Sequence, residues 1–117
     1  MSVKRFEDIY DMLIYDIREA LPDIEILIMA PFILKGSATE ENFEIFSKEV
    51  ELRAEVSKRI AEKFNLEFIT LQDKFDACLS KAPAEYWSFD GVHPTAQGHE
   101  IIAREWIKAF QKITKAD

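Results

Sequence analysis

Apolar residues recur at helical spacing through residues 5 to 23: Phe6, Ile9, Tyr10, Leu13, Ile14, Ile17 and Leu21. Glu7, Asp8, Asp11, Asp16 and Glu19 fall mostly on the other side. This pattern predicts an amphipathic helix. Pro22 ends it, because a proline disfavours the helical conformation of the residue before it. The run "IEILIMAPF" (24–32) is short, nearly continuous in apolar residues and rich in β-branched ones. Held between Pro22 and Pro31, it reads as a strand buried on both faces. "PFILKGSATEEN" follows as a loop turning at Gly36 and Ser37. Residues 42 to 65 then place Phe43, Phe46, Val50, Val56, Ile60 and Phe64 on one face of a long surface helix. "LEFITLQ" (66–72) alternates and is rich in strand formers. "DKFDACLSKA" (73–82) reads as a short helix and "PAEYWSFDGVH" (83–93) as a loop. The last helix begins near Pro94 and Thr95, with Thr95 as N-cap and Ile102, Trp106, Phe110 and Ile113 as its buried stripe.

The order is helix, strand, helix, strand, short helix, loop, helix. Two strands joined through a long amphipathic helix form a βαβ crossover, so they pair in parallel. That raises a physical difficulty. Parallel sheets are covered by helices on both faces, and two strands are too few for independent stability. The first strand is apolar enough to be central, yet the chain offers it one neighbour. Strand counting therefore predicts that more strands come from a partner chain or from the rest of a larger fold.

Length and composition narrow the class. A chain of 117 residues forms one domain, and 48% hydrophobic with 32% charged residues is a globular composition. The net charge of -7 opposes a nucleic-acid partner, which requires a basic face. No apolar run is long enough to span a bilayer, and "MSVKRFEDIY" lacks the apolar core of a signal peptide. The single cysteine, Cys78, excludes an internal disulfide and fits a reducing compartment. A cytoplasmic location follows as the expectation, and Cys78 reads as a small buried hydrophobe on the short helix.

The candidate chemistry lies in "DGVHPT". Asp90 stands three residues before His93 across a glycine-containing turn. A carboxylate so placed can accept a hydrogen bond from one imidazole nitrogen and leave the other as a general base. Both residues follow the second strand, on the side where open α/β sheets place their sites. The same four letters also suit a turn capped by Asp90 with His93 as a loop filler. A metal set of Asp90, His93 and His99 lacks a fourth protein donor and any usual ligand spacing, so no metal or other cofactor is expected. Trp87 and Tyr86, just before Asp90, are substrate-cleft candidates, and Trp87 could equally seal the core under the loop.

The longer string "WSFDGVHPTAQGHEIIAREW" (87–106) resembles the C-terminal catalytic block of the SGNH, or GDSL-type, hydrolases, a family of serine esterases and acylhydrolases. The shared features are Asp-Gly-Val-His-Pro-Thr, a Gly-His pair, and an aliphatic helix ending in Trp. "ILIMAPFIL" and "LEFITLQDKFD" resemble the family's last two strands with their following segments, so the likeness runs over about residues 5 to 110. The resemblance implies an α/β fold, specifically a partial three-layer α/β/α (flavodoxin-like) sandwich. It also implies that His93 is the general base of a Ser-His-Asp triad and Asp90 its orienting acid.

The chain departs from the family at three points. It contains no Gly-Asp-Ser and no Gly-x-Asn-Asp, where the family carries its nucleophile and oxyanion donors, and its glycines are only Gly36, Gly91 and Gly98. Ser37, in the loop after the first strand and on the expected side, is a very weak nucleophile candidate, because its setting does not match the family's. The chain thus reads as residues 1 to 117 of a single, incomplete SGNH-like domain, holding the last two of about five strands. Without serine and oxyanion donors it is expected to be inactive alone, because nucleophile and base work as a unit. Expected partners are a second copy or a complementing N-terminal half, with a small ester as substrate only where the site is completed. The alternative is a self-associating assembly module with no catalysis.

Overall fold

The computed structural model describes residues 1–114. Helix α1 (Val3–Ala20) starts at Ser2, whose hydroxyl accepts the Arg5 amide at 3.1 Å. That satisfies one of the free donors of the first turn. Strand β1 (Leu27–Met29) follows, then a single 3-10 turn (Glu40–Asn42) and helix α2 (Phe43–Phe64). Helix α2 closes on Asn65, which takes the left-handed conformation at φ 54 while the Leu66 amide bonds back to the Ala61 carbonyl. Asparagine tolerates that conformation better than other residues with a Cβ. Strand β2 (Glu67–Ile69), α3 (Gln72–Cys78), α4 (Ala84–Trp87) and α5 (Ala96–Thr114) complete the order.

The strands pair in parallel, with Leu27 opposite Glu67, Ile28 opposite Phe68 and Met29 opposite Ile69. Strand side chains alternate between faces, and the core divides accordingly. On one face Ile28, Ile26 and Phe68 pack with Ile14 of α1 and Val56, Ile60 and Ala61 of α2. On the other, Leu27, Met29 and Ile69 pack with Phe75 and Cys78 of α3, Trp87 of α4 and Ala109 of α5. Helices thus cover both faces of the ribbon, giving a narrow α/β/α sandwich. Cys78 is buried among them, as a small hydrophobe would be.

Three expectations need correction. The strands are three residues long where the apolar runs suggested nine and seven. The Ala30 amide still bonds the Ile69 carbonyl, and beyond that bond the two chains leave the ladder. Gln72 belongs to α3 rather than to the strand, because its side-chain amide is taken up by both backbone groups of Ile33, at 3.0 and 2.9 Å. The segment 83–93 contains a helical turn, α4, where a loop was expected.

The buried stripe of α5 is also shifted. Gly98 and Ala109 are its buried residues, with Ile101, Ile102 and Ile113 half-buried, while Trp106 and Phe110 are exposed and stack on each other at 5.1 Å. A Cβ on Gly98 would lie 2.1 Å from the Trp87 carbonyl oxygen. The bare glycine lets α5 seat against α4, and that contact sets which side of the helix faces inward.

Candidate active site

The site is built on a small hairpin between α4 and α5. Ser88 and Pro94 form an antiparallel bridge, with the Phe89 amide on the His93 carbonyl at 2.9 Å and the Thr95 amide on the Trp87 carbonyl at 3.0 Å. Residues 89–93 close this hairpin and contain both candidate side chains. Asp90 Oδ1 accepts the backbone amides of Val92 and His93 at 2.9 and 2.8 Å, and Oδ2 lies 2.7 Å from His93 Nδ1. The carboxylate therefore bonds its own turn and the imidazole together.

These bonds hold the Asp90 carboxyl down at about 2, through the His93 backbone amide first, the His93 ring second and the Val92 amide third. An ionised carboxylate can only accept. The proton between the two side chains therefore sits on His93 Nδ1, and the Nε2 lone pair of the neutral ring faces away from Asp90. Exposure matches that polarity: the His93 side chain is 74% exposed and that of Asp90 26%. The pair thus turns Nε2 to solvent, with the tautomer fixed from behind.

The walls around this turn are tied to the core. Ser88, buried, accepts the Gly91 amide on its hydroxyl at 2.9 Å and donates to the His93 carbonyl at 3.2 Å. Thr95 caps α5 as expected, its hydroxyl accepting the Gly98 amide at 3.2 Å and donating to the Tyr86 carbonyl at 2.6 Å. The third helical position, where a capping Glu would stand, is Gly98, whose missing Cβ permits the close approach to Trp87. An apolar hollow of about 380 Å³ opens beside the turn, lined by Ile33, Thr39, Phe46, Val50 and Val92 among others.

The other sequence candidates separate clearly. Trp87 is 8% exposed, and its indole N–H donates to the Ala82 carbonyl at 3.1 Å. Of its two readings, burial supports the core seal over a cleft wall. Tyr86 is 47% exposed and meets the Trp87 ring edge-on at 4.7 Å, so it stays available to a ligand. Ser37 is exposed in the loop after β1, and its hydroxyl makes no hydrogen bond to His93. His99 is exposed on the first turns of α5. Sequence reasoning passed over Ser88 and Thr39 as structural members of the site. The signal available was a buried-size hydroxyl beside each of two glycines, Gly91 and Gly36, in turn-forming segments.

The fold is thus a two-stranded parallel α/β/α unit that carries a hydrogen-bonded Asp90–His93 pair on the hairpin before α5. Comparison with known proteins makes this specific. The GDSL-like lipase/acylhydrolase family profile matches residues 2–101. The chain belongs to that family. It resembles the crystal structure assigned to a GDSL-like lipase of Parabacteroides merdae, at 33% identity and a TM-score of 0.86, over 92% of this chain and 49% of that one. An acetylxylan esterase of Geobacillus stearothermophilus is 29% identical over 71% of this chain and 36% of its own length. The solved structure of that esterase shares the fold, with a TM-score of 0.76 at 24% identity, over 92% of this chain and 47% of that one. The chain therefore spans about half the length of the solved structures it matches, and about a third of the curated relative.

Proposed function

We propose that this chain carries the acid–base half of a serine esterase site acting on carboxylic or acetyl esters. His93 is the general base and Asp90 its orienting acid. The observation that carries this reading is the 2.7 Å contact between Asp90 Oδ2 and His93 Nδ1, which leaves Nε2 directed outward. In a completed site Nε2 takes the proton of an attacking serine and returns it to the leaving alcohol. No segment of this chain has the family's nucleophile or oxyanion setting, so the chain alone does not turn over ester. A complementing N-terminal segment supplies both groups and pairs with the free edge of β1.

The test uses p-nitrophenyl acetate and a fluorophosphonate label. The purified chain shows no hydrolysis that His93→Ala removes, and no labelled serine. Addition of the N-terminal half of the Parabacteroides merdae relative restores turnover, and His93→Ala abolishes it again. Serine labelling and His93-dependent turnover in the chain alone refute the inactivity. A complemented complex whose turnover ignores His93→Ala refutes the role of the pair.

A second reading, self-association, is favoured by one observation. Ile9, Met12, Leu13 and Leu21 are exposed on and just after α1, and Trp106, Ile107 and Phe110 on α5. Such apolar area draws a partner. Light scattering coupled to size exclusion decides it: a dimer or larger species supports the reading, and a monomer that persists at high concentration rejects it.

A further inference from the structure

We propose that Thr39 is a positioning residue for the Asp90–His93 pair, acting through a clasp between the loop after β1 and the site hairpin. The proposal rests on reading Asp90 and His93 as the acid–base pair. The two loops are joined by main chain alone. The Ala38 amide donates to the Asp90 carbonyl at 3.0 Å, and the Leu34 amide to the Gly91 carbonyl at 3.0 Å. Asp90 is thus anchored through its own carbonyl and through its neighbour's, while its carboxylate reaches the ring.

Two glycines interlock at the join. A Cβ on Gly36 would sit 2.3 Å from the Asp90 carbonyl carbon, and one on Gly91 would sit 2.4 Å from the Leu34 oxygen. Gly91 also holds φ at +99, a conformation that residues with a Cβ rarely take. The backbones therefore approach closely enough that neither glycine position has room for a Cβ.

Thr39 shapes the upper loop of this clasp. It is 2% exposed. Its hydroxyl donates to the Leu34 carbonyl at 2.6 Å and accepts the Gly36 amide at 3.0 Å. The Thr39 and Glu40 amides both return to the Gly36 carbonyl, so residues 36–40 form a closed turn. The same hydroxyl lies against Gly91, 2.5 Å from where a Cβ would stand. One hydroxyl therefore sets the spacing of Leu34 and Gly36, the turn presents the Leu34 and Ala38 amides, and those two donors hold the backbone of Asp90 and Gly91. Removing the hydroxyl frees the Asp90 backbone, and the carboxylate loses its fixed angle to Nδ1.

The nitrogen-15 shifts of the His93 ring, recorded at alkaline pH, read this directly. A charge-assisted bond to Nδ1–H biases the tautomer by about tenfold or more. The wild-type chain shows that bias, and Asp90→Ala, which removes the acceptor, gives the unbiased limit. Thr39→Val keeps the shape and loses the hydroxyl, so its tautomer ratio moves most of the way to that limit, while Thr39→Ser keeps the wild-type ratio. A merely structural role moves stability without moving the ratio. A folded Thr39→Val with the wild-type ratio overturns the clasp and leaves the pair standing. A wild-type ratio equal to that of Asp90→Ala overturns the pair, and the clasp with it. If Thr39→Val does not fold, hydrogen exchange of the wild type decides. The clasp protects the Leu34 and Ala38 amides about a hundredfold over the Ser37 amide, and equal exchange at all three overturns it.

Discussion

Truncating Trp87 separates the two meanings of the residue that precedes the site. Its ring is 8% exposed, packs in the cluster of Leu34, Ile69, Leu71 and Phe75, and donates to the Ala82 carbonyl. Removal of a buried Trp side chain costs about 3–5 kcal/mol, from lost transfer energy and the cavity left behind. The hydrogen bond to Ala82 adds about 0.5–1.5 kcal/mol where its acceptor stays dry. A cleft-wall tryptophan, largely in contact with water, would change stability by no more than about 0.5 kcal/mol. Domains of this kind are stable by about 5–15 kcal/mol, so Trp87→Ala removes a large share of the total. Urea denaturation followed by far-UV circular dichroism measures the loss. Fluorescence of Trp106, the only other tryptophan, gives an independent second transition in the variant. Trp87→Phe, which keeps an aromatic plug but not the donor, falls between the two. An unchanged slope with a loss under about 1 kcal/mol in Trp87→Ala refutes the core assignment.

Gly91→Ala forces a Cβ onto the Leu34 oxygen at a φ of +99. The strained backbone alone costs about 1–3 kcal/mol, read as a lower urea midpoint, and a wild-type midpoint contradicts the steric account. Asp90 gives a pH test with a fixed sign. Its carboxyl is held at about 2 in the folded chain, below the ordinary 3.8. The stabilisation from its bonds is present in full above about pH 4 and is lost as pH falls towards 2. The carbon-13 shift of the Asp90 carboxyl titrates with a midpoint near 2, and one near 3.8 shows the bonds to be absent in solution. Glu7 and Arg59 join α1 to α2 by two bonds of 2.9 Å in a half-exposed setting. Glu7→Gln costs about 0.2–1 kcal/mol, and less at high salt; a salt-independent loss of several kcal/mol contradicts the surface character of the pair.

What the sequence made legible is what depends on neighbours along the chain. The periods of α1 and α2, the apolar runs of β1 and β2, and the cap at Thr95 are all local signals, and all are present in the fold. The strand lengths were misjudged because apolar runs mark burial, whereas a strand requires a paired ladder, and that ladder ends at the bond from Ala30 to Ile69. The stripe of α5 was misjudged because Trp106 and Phe110 are hydrophobic at the right period, yet rotation is set by the contact of Gly98 with Trp87. That contact joins residues eleven apart in different elements and leaves no periodic trace.

The same distinction explains why the acid–base half of the proposed site can be organised in this chain at all. Every bond that orients the acid–base pair is either within the turn or one clasp away. Asp90 reaches Val92 and His93 two and three residues along, Ser88 ties Gly91 and His93, and only the loop after β1 comes from a distance. On the proposed reading the serine nucleophile has no such local logic: it comes from outside this chain, and its position relative to Nε2 is set by how the completed sheet pairs. The histidine and its carboxylate can be pre-oriented by about ten residues of sequence and two glycines. Reaction cannot, because transfer of a proton to Nε2 requires a hydroxyl within about 3 Å, and pre-orientation of the base supplies no such group. On the proposed reading the βαβ unit holds one reactant of the proton transfer in place, and pairing of a complementing segment along the edge of β1 is the step on which the other depends.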